Sequence, residues 1–320
     1  MCAYLKCKLM KTLTIFTPTY NRVKLLNRGY LALCSQTSFD FCWLIIDDGS
    51  TDSTSDLVKS WLIPESISYL KDGFIGFSMD APCLKIRYCY KENGGLHTGY
   101  NKAIELIETE LCVCIDSDDF MPENAVEKIV HFWKQKGNPN VAGILGLDFF
   151  LDGKPIGGYF PEGIESLHII DMESKYGHYG DVKVVHRTQL LKQVAPQPVF
   201  EGEKNFNPIY LFHKIDMYYP LLLLNENLCF VEYQEGGMTS SIYKQYVNSP
   251  MSFSELRRLL MSRRDVSLAF KFRQAIHYVS SEIRCRNTHW LRDSPEKCLT
   301  LIAVPLGFLL FVYINYKSKK

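Results

Sequence analysis

The sequence predicts an α/β fold: a Rossmann-like, mostly parallel sheet flanked by helices, followed by C-terminal amphipathic helices and an apolar tail helix. Three observations predict it. Over the first 135 residues, short continuous apolar runs alternate four times with helix-periodic segments, the pattern of parallel strands covered on both faces. Each of these runs ends in a polar cluster, and open α/β sheets bind ligands at the carboxyl ends of their strands. The last fifth then changes character: residues 255–320 hold 13 Lys/Arg against 5 Asp/Glu, a balance of +8 that leaves −7 for the rest of a chain whose net charge is +1.

The elements follow in order. Residues 13–17 form a short buried strand stopped by Pro18. Leu25, Leu26, Tyr30 and Leu33 share one side of a helix over 22–34. A second strand, 41–46, runs into Asp47-Asp48-Gly49-Ser50, and the polar run 51–54 supplies N-caps for a helix through Trp61. Residues 64–84 scatter Pro, Gly and Asp and are expected to be a loop or insertion. A third strand covers 84–90. Gly94-Gly95 then interrupts the chain before a helix over 98–107. A fourth strand spans 111–115, and a helix begins at Pro122 or just after it and runs to Gln135. Farther on, 141–147 and 181–185 read as strands of a mixed second half and 159–179 as loop. Residues 252–284 read as a long amphipathic helix or helix pair, opened by a capping box at Ser252-x-x-Glu255.

The near-neutral charge excludes a strongly basic nucleic-acid binder. Eleven cysteines without a CxxC pair or zinc-site spacing indicate a reducing, cytoplasmic compartment. Residues 1–12 are too short and polar for a signal peptide and are expected to be a leader. The tail, 299–316, runs 18 residues without a charge between Arg292 and Lys297 on one side and Lys317, Lys319 and Lys320 on the other. It has the minimum length to span a bilayer, and its basic, aromatic flanks suit an interface. A buried helix interrupted by Pro305 and Gly307 is the plainer alternative.

Chemistry concentrates where the strands end. Asp116, Asp118 and Asp119 place three carboxylates within four residues. Like charges so close repel unless a cation joins them. Mn2+ or Mg2+ would suit, because either accepts one or two carboxylates and completes its shell with water and phosphate oxygens. The same residues would also serve as an acidic turn, with Asp119 capping the helix from Pro122. Asp47 and Asp48 can accept from a base N–H or a ribose hydroxyl, or can cap the next helix. Gly94 and Gly95, ahead of a helix start, would let the backbone approach a diphosphate. No GxGxxG or GxxxxGK[ST] motif is present.

Four motifs in order, Thr17-Pro-Thr-Tyr-Asn-Arg22, Ile46-Asp-Asp-Gly-Ser-Thr-Asp52, Asn93-Gly-Gly-Leu-His-Thr-Gly-Tyr-Asn101 and Asp116-Ser-Asp-Asp119, resemble the family 2 glycosyltransferases of GT-A fold. The resemblance covers residues 13 to about 125. It implies a nucleotide-binding half (13–135) and an acceptor half (136–250) of one domain; composition and hydropathy add the basic amphipathic helices (251–298) and the membrane-associating tail (299–320). It implies a nucleotide-sugar donor, most simply a UDP-sugar, held by Thr17, Pro18, Tyr20, Asp47, Asp48, Asn93, Gly94, Gly95, His97, Asn101, Asp116 and Asp118. Within that set, Thr17 and Tyr20 would line the nucleoside pocket and Asp48 or Asp47 would hold the base. Asp116 would meet the ribose and, with Asp118, the metal. Asn93, Gly94 and His97 would lie near the diphosphate, although His97 also fits a surface position.

The family's base lies in a Glu-Asp motif. Here Val199-Phe-Glu-Gly-Glu-Lys-Asn-Phe206 is the match, with Glu203 as first choice, Glu201 as second and Lys204 where the Asp is expected. A surface loop is the alternative for this stretch. Residues 233–238 read as a closing segment or a plain turn. The implied activity is an inverting, metal-dependent transfer of sugar to a glycan or lipid-linked acceptor at the cytoplasmic face of a membrane, in surface-polysaccharide assembly. The competing readings are a nucleotidyltransferase and a non-catalytic scaffold that retains the fold.

Overall fold

The computed structural model describes residues 11–177, 180–232 and 241–319. The four apolar runs form parallel strands β1 (Leu13–Thr19), β2 (Phe41–Asp47), β5 (Lys85–Tyr90) and β6 (Leu111–Cys114), in spatial order β5-β2-β1-β6. β1 and β2 are buried almost throughout, which is why they read as unbroken apolar runs. The intervening helices, Leu26–Cys34, Thr54–Ser60, Leu96–Leu106 and Ala125–Lys136, are the expected crossovers. Two of them begin late, at Leu26 by four residues and at Ala125 by three, after turns.

The segment read as a loop over 64–84 is instead a hairpin. β3 (Ser68–Leu70) pairs antiparallel with β4 (Gly73–Phe77), and β4 pairs antiparallel with β5, so the sheet gains an edge. β4 alternates half-buried and buried residues over only five positions, too short a run to stand out among Gly and Asp.

Beyond β6 the sheet becomes mixed, as expected. β9 (Val182–Arg187) runs antiparallel to both β6 and β7 (Gly143–Phe149). β10 (Leu221–Phe230) pairs parallel with β7 and antiparallel with β8 (Ser166–Leu167), completing ten strands. β10 and β8 were not foreseen, because the Asn-Glu-Asn interruption in β10 hides its alternation.

Among the described residues the chain divides into two compact units. The first takes residues up to Gly94, Thr98–Ala195 and Tyr218–Glu232, and holds the whole sheet. Its core is a continuous cluster around Ile15, Tyr30, Trp43, Ile45 and Trp61, in which the Tyr30 and Trp61 rings stack 4.3 Å apart. The second unit takes Gly95–His97, Pro196–Met217 and the residues from 241 onward. Residues 196–217, grouped by sequence with the acceptor half, therefore belong with the C-terminal helices.

In the second unit the amphipathic stretch is a pair of helices, Pro250–Ser262 and Leu268–Cys285. The expected capping box is absent, since Ser252 lies inside the first helix. The tail is one helix, Lys297–Lys317, packed along Leu268–Cys285 through a small core of Met261, Ala275, Tyr278, Val279 and Ala303.

Candidate active site at the strand ends

β1, β2 and β6 are parallel neighbours, so their C-terminal ends deliver Thr17–Tyr20, Asp47-Asp48 and Asp116–Asp119 to one rim of the sheet. The first motif acts as a clamp on the second. Asn21 adopts a left-handed backbone (φ 53°). Its side-chain oxygen accepts from Thr51 N at 2.7 Å, and its own N–H donates to Ser50 Oγ at 2.8 Å. Desolvation pushes the Asp52 carboxyl up, but hydrogen bonds from the Thr54 hydroxyl, Val23 N and Thr54 N outweigh it and hold the group below its usual range. Thr17 is buried, and its hydroxyl accepts from Trp43 Nε1 at 3.0 Å. Pro18 is buried behind it, and Tyr20 is 48% exposed.

The expectation that Asp47 or Asp48 presents a carboxylate to a base meets a different geometry. Asp47 accepts from Ser50 N at 2.7 Å and from the Tyr88 hydroxyl at 2.5 Å. Asp48 accepts from Lys91 Nζ, from Gly94 N at 3.0 Å and from Asn93 Nδ2 at 3.2 Å. Both are buried, and their oxygens are engaged in building the loop. Gly49 (φ +84°) makes the approach possible, since a Cβ there would sit 2.7 Å from Asn93 N.

The glycines after β5 are likewise used internally. Gly94 N points at Asp48. Gly95 (φ +93°) leaves room for a main chain, since a Cβ there would lie 2.0 Å from the Lys204 carbonyl oxygen. His97 is wholly buried, with its ring 6.3 Å from that of Phe206. It lies neither on the surface nor open to a diphosphate, because burying it completes the aromatic packing of Phe200, Phe206 and Tyr210. Asn101 is half-buried on the Leu96–Leu106 helix.

The acidic turn is sorted by an internal cation. Lys183 on β9 is buried, with Nζ 3.5 Å from Asp148 and 3.7 Å from Asp119. Asp119 is therefore an ion-pair partner and does not cap the helix that follows. Burial raises the Asp119 carboxyl to about 7 and that of Asp148 to about 6, against the pull of Lys183. Burial pulls Lys183 down, but its carboxylate neighbours, led by Asp148, outweigh this and hold it well above the usual lysine value. Asp116 is exposed and Asp118 half-buried. The main-chain carbonyl of Asp118 accepts from Arg28, whose guanidinium lies 4.8 Å from the Phe120 ring centroid and pairs with Glu232 at 2.7 Å. Thr17, Trp43, Ile115, Asp116, Ser117 and Asp119 line a narrow crevice here.

Lys183, Asp148 and Arg28 were missed from sequence. A lysine set between the valines of residues 182–185 was the available signal for Lys183, because a charge on a buried strand needs a partner. Nothing local marked Asp148 or Arg28.

Among the described residues no group of three or more His, Cys, Asp or Glu is arranged to hold a metal ion. Asp116 and Asp118 together offer two hard carboxylates, a donor set that fits Mn2+ or Mg2+ when water and a diphosphate supply the rest.

Glu203 departs from the expected role of base. It is buried in the second unit and accepts from Met251 N at 2.7 Å, Ser252 N at 2.8 Å and Ser252 Oγ at 2.6 Å. It therefore caps the Pro250–Ser262 helix, satisfying N–H groups the helix cannot satisfy itself. Glu201 is exposed at the turn before it. The expected closing segment, 233–238, lies outside the described residues.

Comparisons with known proteins agree with this layout. Residues 14–149 match the family model for glycosyl transferase family 2. Over 143 residues the chain is 26% identical to poly(ribitol-phosphate) beta-N-acetylglucosaminyltransferase TarP of Staphylococcus aureus (strain N315), covering 43% of this chain and 38% of that protein. The chain thus spans about two fifths of the length of that curated relative. S. aureus TarS 1–349 in complex with UDP superposes with a TM-score of 0.59 at 14% identity, over 97% of this chain and 92% of that one. Mannosyltransferase PcManGT from Pyrobaculum calidifontis, in complex with GDP-Man and Mn2+, gives 0.54 at 14% identity, over 98% and 84%. The chain therefore has the GT-A fold, and its segment 14–149 matches glycosyl transferase family 2.

Proposed function

We propose that this chain is an inverting glycosyltransferase that moves a sugar from a nucleotide-sugar, most simply a UDP-sugar, to a hydroxyl of a glycan or lipid-linked acceptor. The observation that carries the reading is the sorting of the acidic turn. Lys183 neutralises Asp119 and Asp148 from within, while Asp116 and Asp118 stay at the rim beside the end of β1. The ligands named for similar folds, UDP with TarS and GDP-Man with PcManGT, favour a nucleotide-sugar donor. A surface-polysaccharide role and attachment to the cytoplasmic face of a membrane complete the proposal, supported by the basic C-terminal helices and tail.

Asp116 and Asp118 would hold Mn2+ or Mg2+, which supplies charge stabilisation for the departing diphosphate. The other tasks fall to the chain itself. Arg28 fixes the Asp118 backbone, so the two carboxylates keep their spacing. The exposed Tyr20 ring offers a face for a base, and the Asp47-Asp48 loop forms a rigid wall beside it. The acceptor hydroxyl attacks the anomeric carbon from the side opposite the nucleotide and gives its proton to a base. With Glu203 engaged as a cap, Glu201 takes that role in the proposal.

The capping role of Glu203, with Lys204 where an Asp was expected, favours one alternative: a non-catalytic, membrane-associated scaffold. One experiment separates the two. Purified protein is offered UDP-, GDP- and dTDP-sugars with Mn2+ or Mg2+, and nucleotide release is followed with and without EDTA. Release from one donor that EDTA abolishes supports the enzyme and names its donor. No release, together with no shift in melting temperature by UDP or GDP, overturns it in favour of the scaffold.

A further inference from the structure

The tail helix is apolar all round, and by length and composition alone it could cross a membrane. Its packing argues otherwise. One stripe, Thr300, Ala303, Gly307 and Ile314, is buried. Gly307 sits so close to the Leu268–Cys285 helix that a Cβ would lie 2.5 Å from Val279 Cγ1. The Ser294 and Thr300 hydroxyls meet at 2.7 Å, and Arg284 donates to Asn315 Oδ1 at 2.8 Å while its guanidinium lies 4.9 Å from the Phe311 ring centroid. The other side is bare. Leu301, Ile302, Leu306, Leu309, Val312 and Tyr316 are between 46% and 65% exposed, and only 22% of the apolar stretch is buried.

Crossing a bilayer would force one of two costly changes. The tail could leave its partner helix and uncover Tyr278 and Val279, or it could draw Lys271, Arg273, Glu282 and Arg284 of that helix into hydrocarbon. Lying in the surface requires neither. The exposed stripe enters the lipid, and the basic groups at both ends, Arg292 and Lys297 at one and Lys317 and Lys319 at the other, meet anionic headgroups.

We propose that Lys297–Lys317 lies in the plane of an anionic lipid surface as a monotopic anchor, docked along Leu268–Cys285, and does not span the bilayer. This rests on the membrane attachment proposed above and is independent of the transfer reaction.

The test uses the full chain with a C-terminal epitope tag, added to sealed vesicles of phosphatidylcholine with or without one quarter phosphatidylglycerol. The expected result is flotation with the anionic vesicles, weakened on pure phosphatidylcholine, with the tag fully cleaved by protease added outside. Leu306→Asp combined with Leu309→Asp should lower the bound fraction roughly tenfold while circular dichroism and melting stay near wild type. Flotation with the tag protected inside the vesicle would mean a spanning helix and overturn the in-plane geometry while keeping attachment. No flotation of folded protein, or a concentration-dependent dimer that the double substitution dissociates, would overturn attachment itself. Neither result touches the donor-release assay.

Discussion

The acidic turn after β6 holds three carboxylates within four residues, and Lys183 meets Asp119 from inside while Asp116 and Asp118 face outward. Two substitutions separate these roles. Asp118→Asn removes a proposed metal ligand at a half-buried position, so metal-dependent donor release should fall by roughly a hundredfold or more. Urea unfolding of this variant should be near wild type, and wild-type rates would sink the metal assignment. Lys183→Met acts through the fold. It leaves Asp119 and Asp148 buried without their cation, which costs about 3 kcal/mol or more when both are charged. Their pKa values, raised from 3.8 to about 7 and about 6, set the pH dependence. A carboxyl raised on folding favours the folded state at low pH, and that gain is lost as pH rises through the folded value. The deficit of Lys183→Met should therefore be larger at pH 8 than at pH 5, and equal deficits at both would refute the ion-pair account.

At the scale of elements, the four parallel strands were legible because each is an unbroken apolar run ended by a polar cluster, and those clusters marked the rim. What sequence could not show was which polar groups bond to each other. Asp47 and Asp48 read as ligand-binding carboxylates but hold their own loop, and Glu203 read as a base but caps a helix 47 residues away at Pro250. One ambiguity underlies both cases: a carboxylate near a glycine turn looks the same whether its acceptors serve a ligand or a backbone N–H. A pair of variants tests the distinction. Glu201→Gln should cut turnover by roughly 10²- to 10⁴-fold with little change in stability. Glu203→Gln should instead lower stability by about 1 kcal/mol, because a neutral amide caps more weakly than a carboxylate. The reverse pattern would return Glu203 to the role of base. Gly95→Ala should destabilise by more than the ordinary cost of a positive φ, since the Lys204 carbonyl would have to move. Thermal unfolding of that variant within error of wild type would show that the loop relaxes freely.

For the whole molecule, buried histidines and buried acids pull the pH dependence of stability in opposite directions. Burial lowers His186 from 6.5 to about 3; burial with Arg263 and Arg257 lowers His213 to about 3; burial with Arg257 and Arg273 lowers His277 to about 4. As pH falls below 6.5 the unfolded chain takes up these three protons first, so stability is lost. Asp119 and Asp148 oppose this, because the folded chain protonates them first between about 7 and 3.8. Near pH 5 the two sets leave 3 − 2 = 1 proton in favour of the unfolded state. The slope of unfolding free energy should therefore be about 1.4 kcal/mol per pH unit or less between pH 6 and 4.5. Below 3.8 the unfolded acids are protonated as well, but over the same range the folded chain charges His277 and then His186 and His213, so the slope stays near one proton and fades below about pH 3. Denaturant titrations at half-unit pH intervals would read this as one shallow limb that flattens below about pH 3. A single slope near three protons from pH 6.5 downward would mean that Asp119 and Asp148 stay ionised in the folded state. Lys183 would then balance both carboxylates fully, and the weaker dependence assigned to the acidic turn would be wrong.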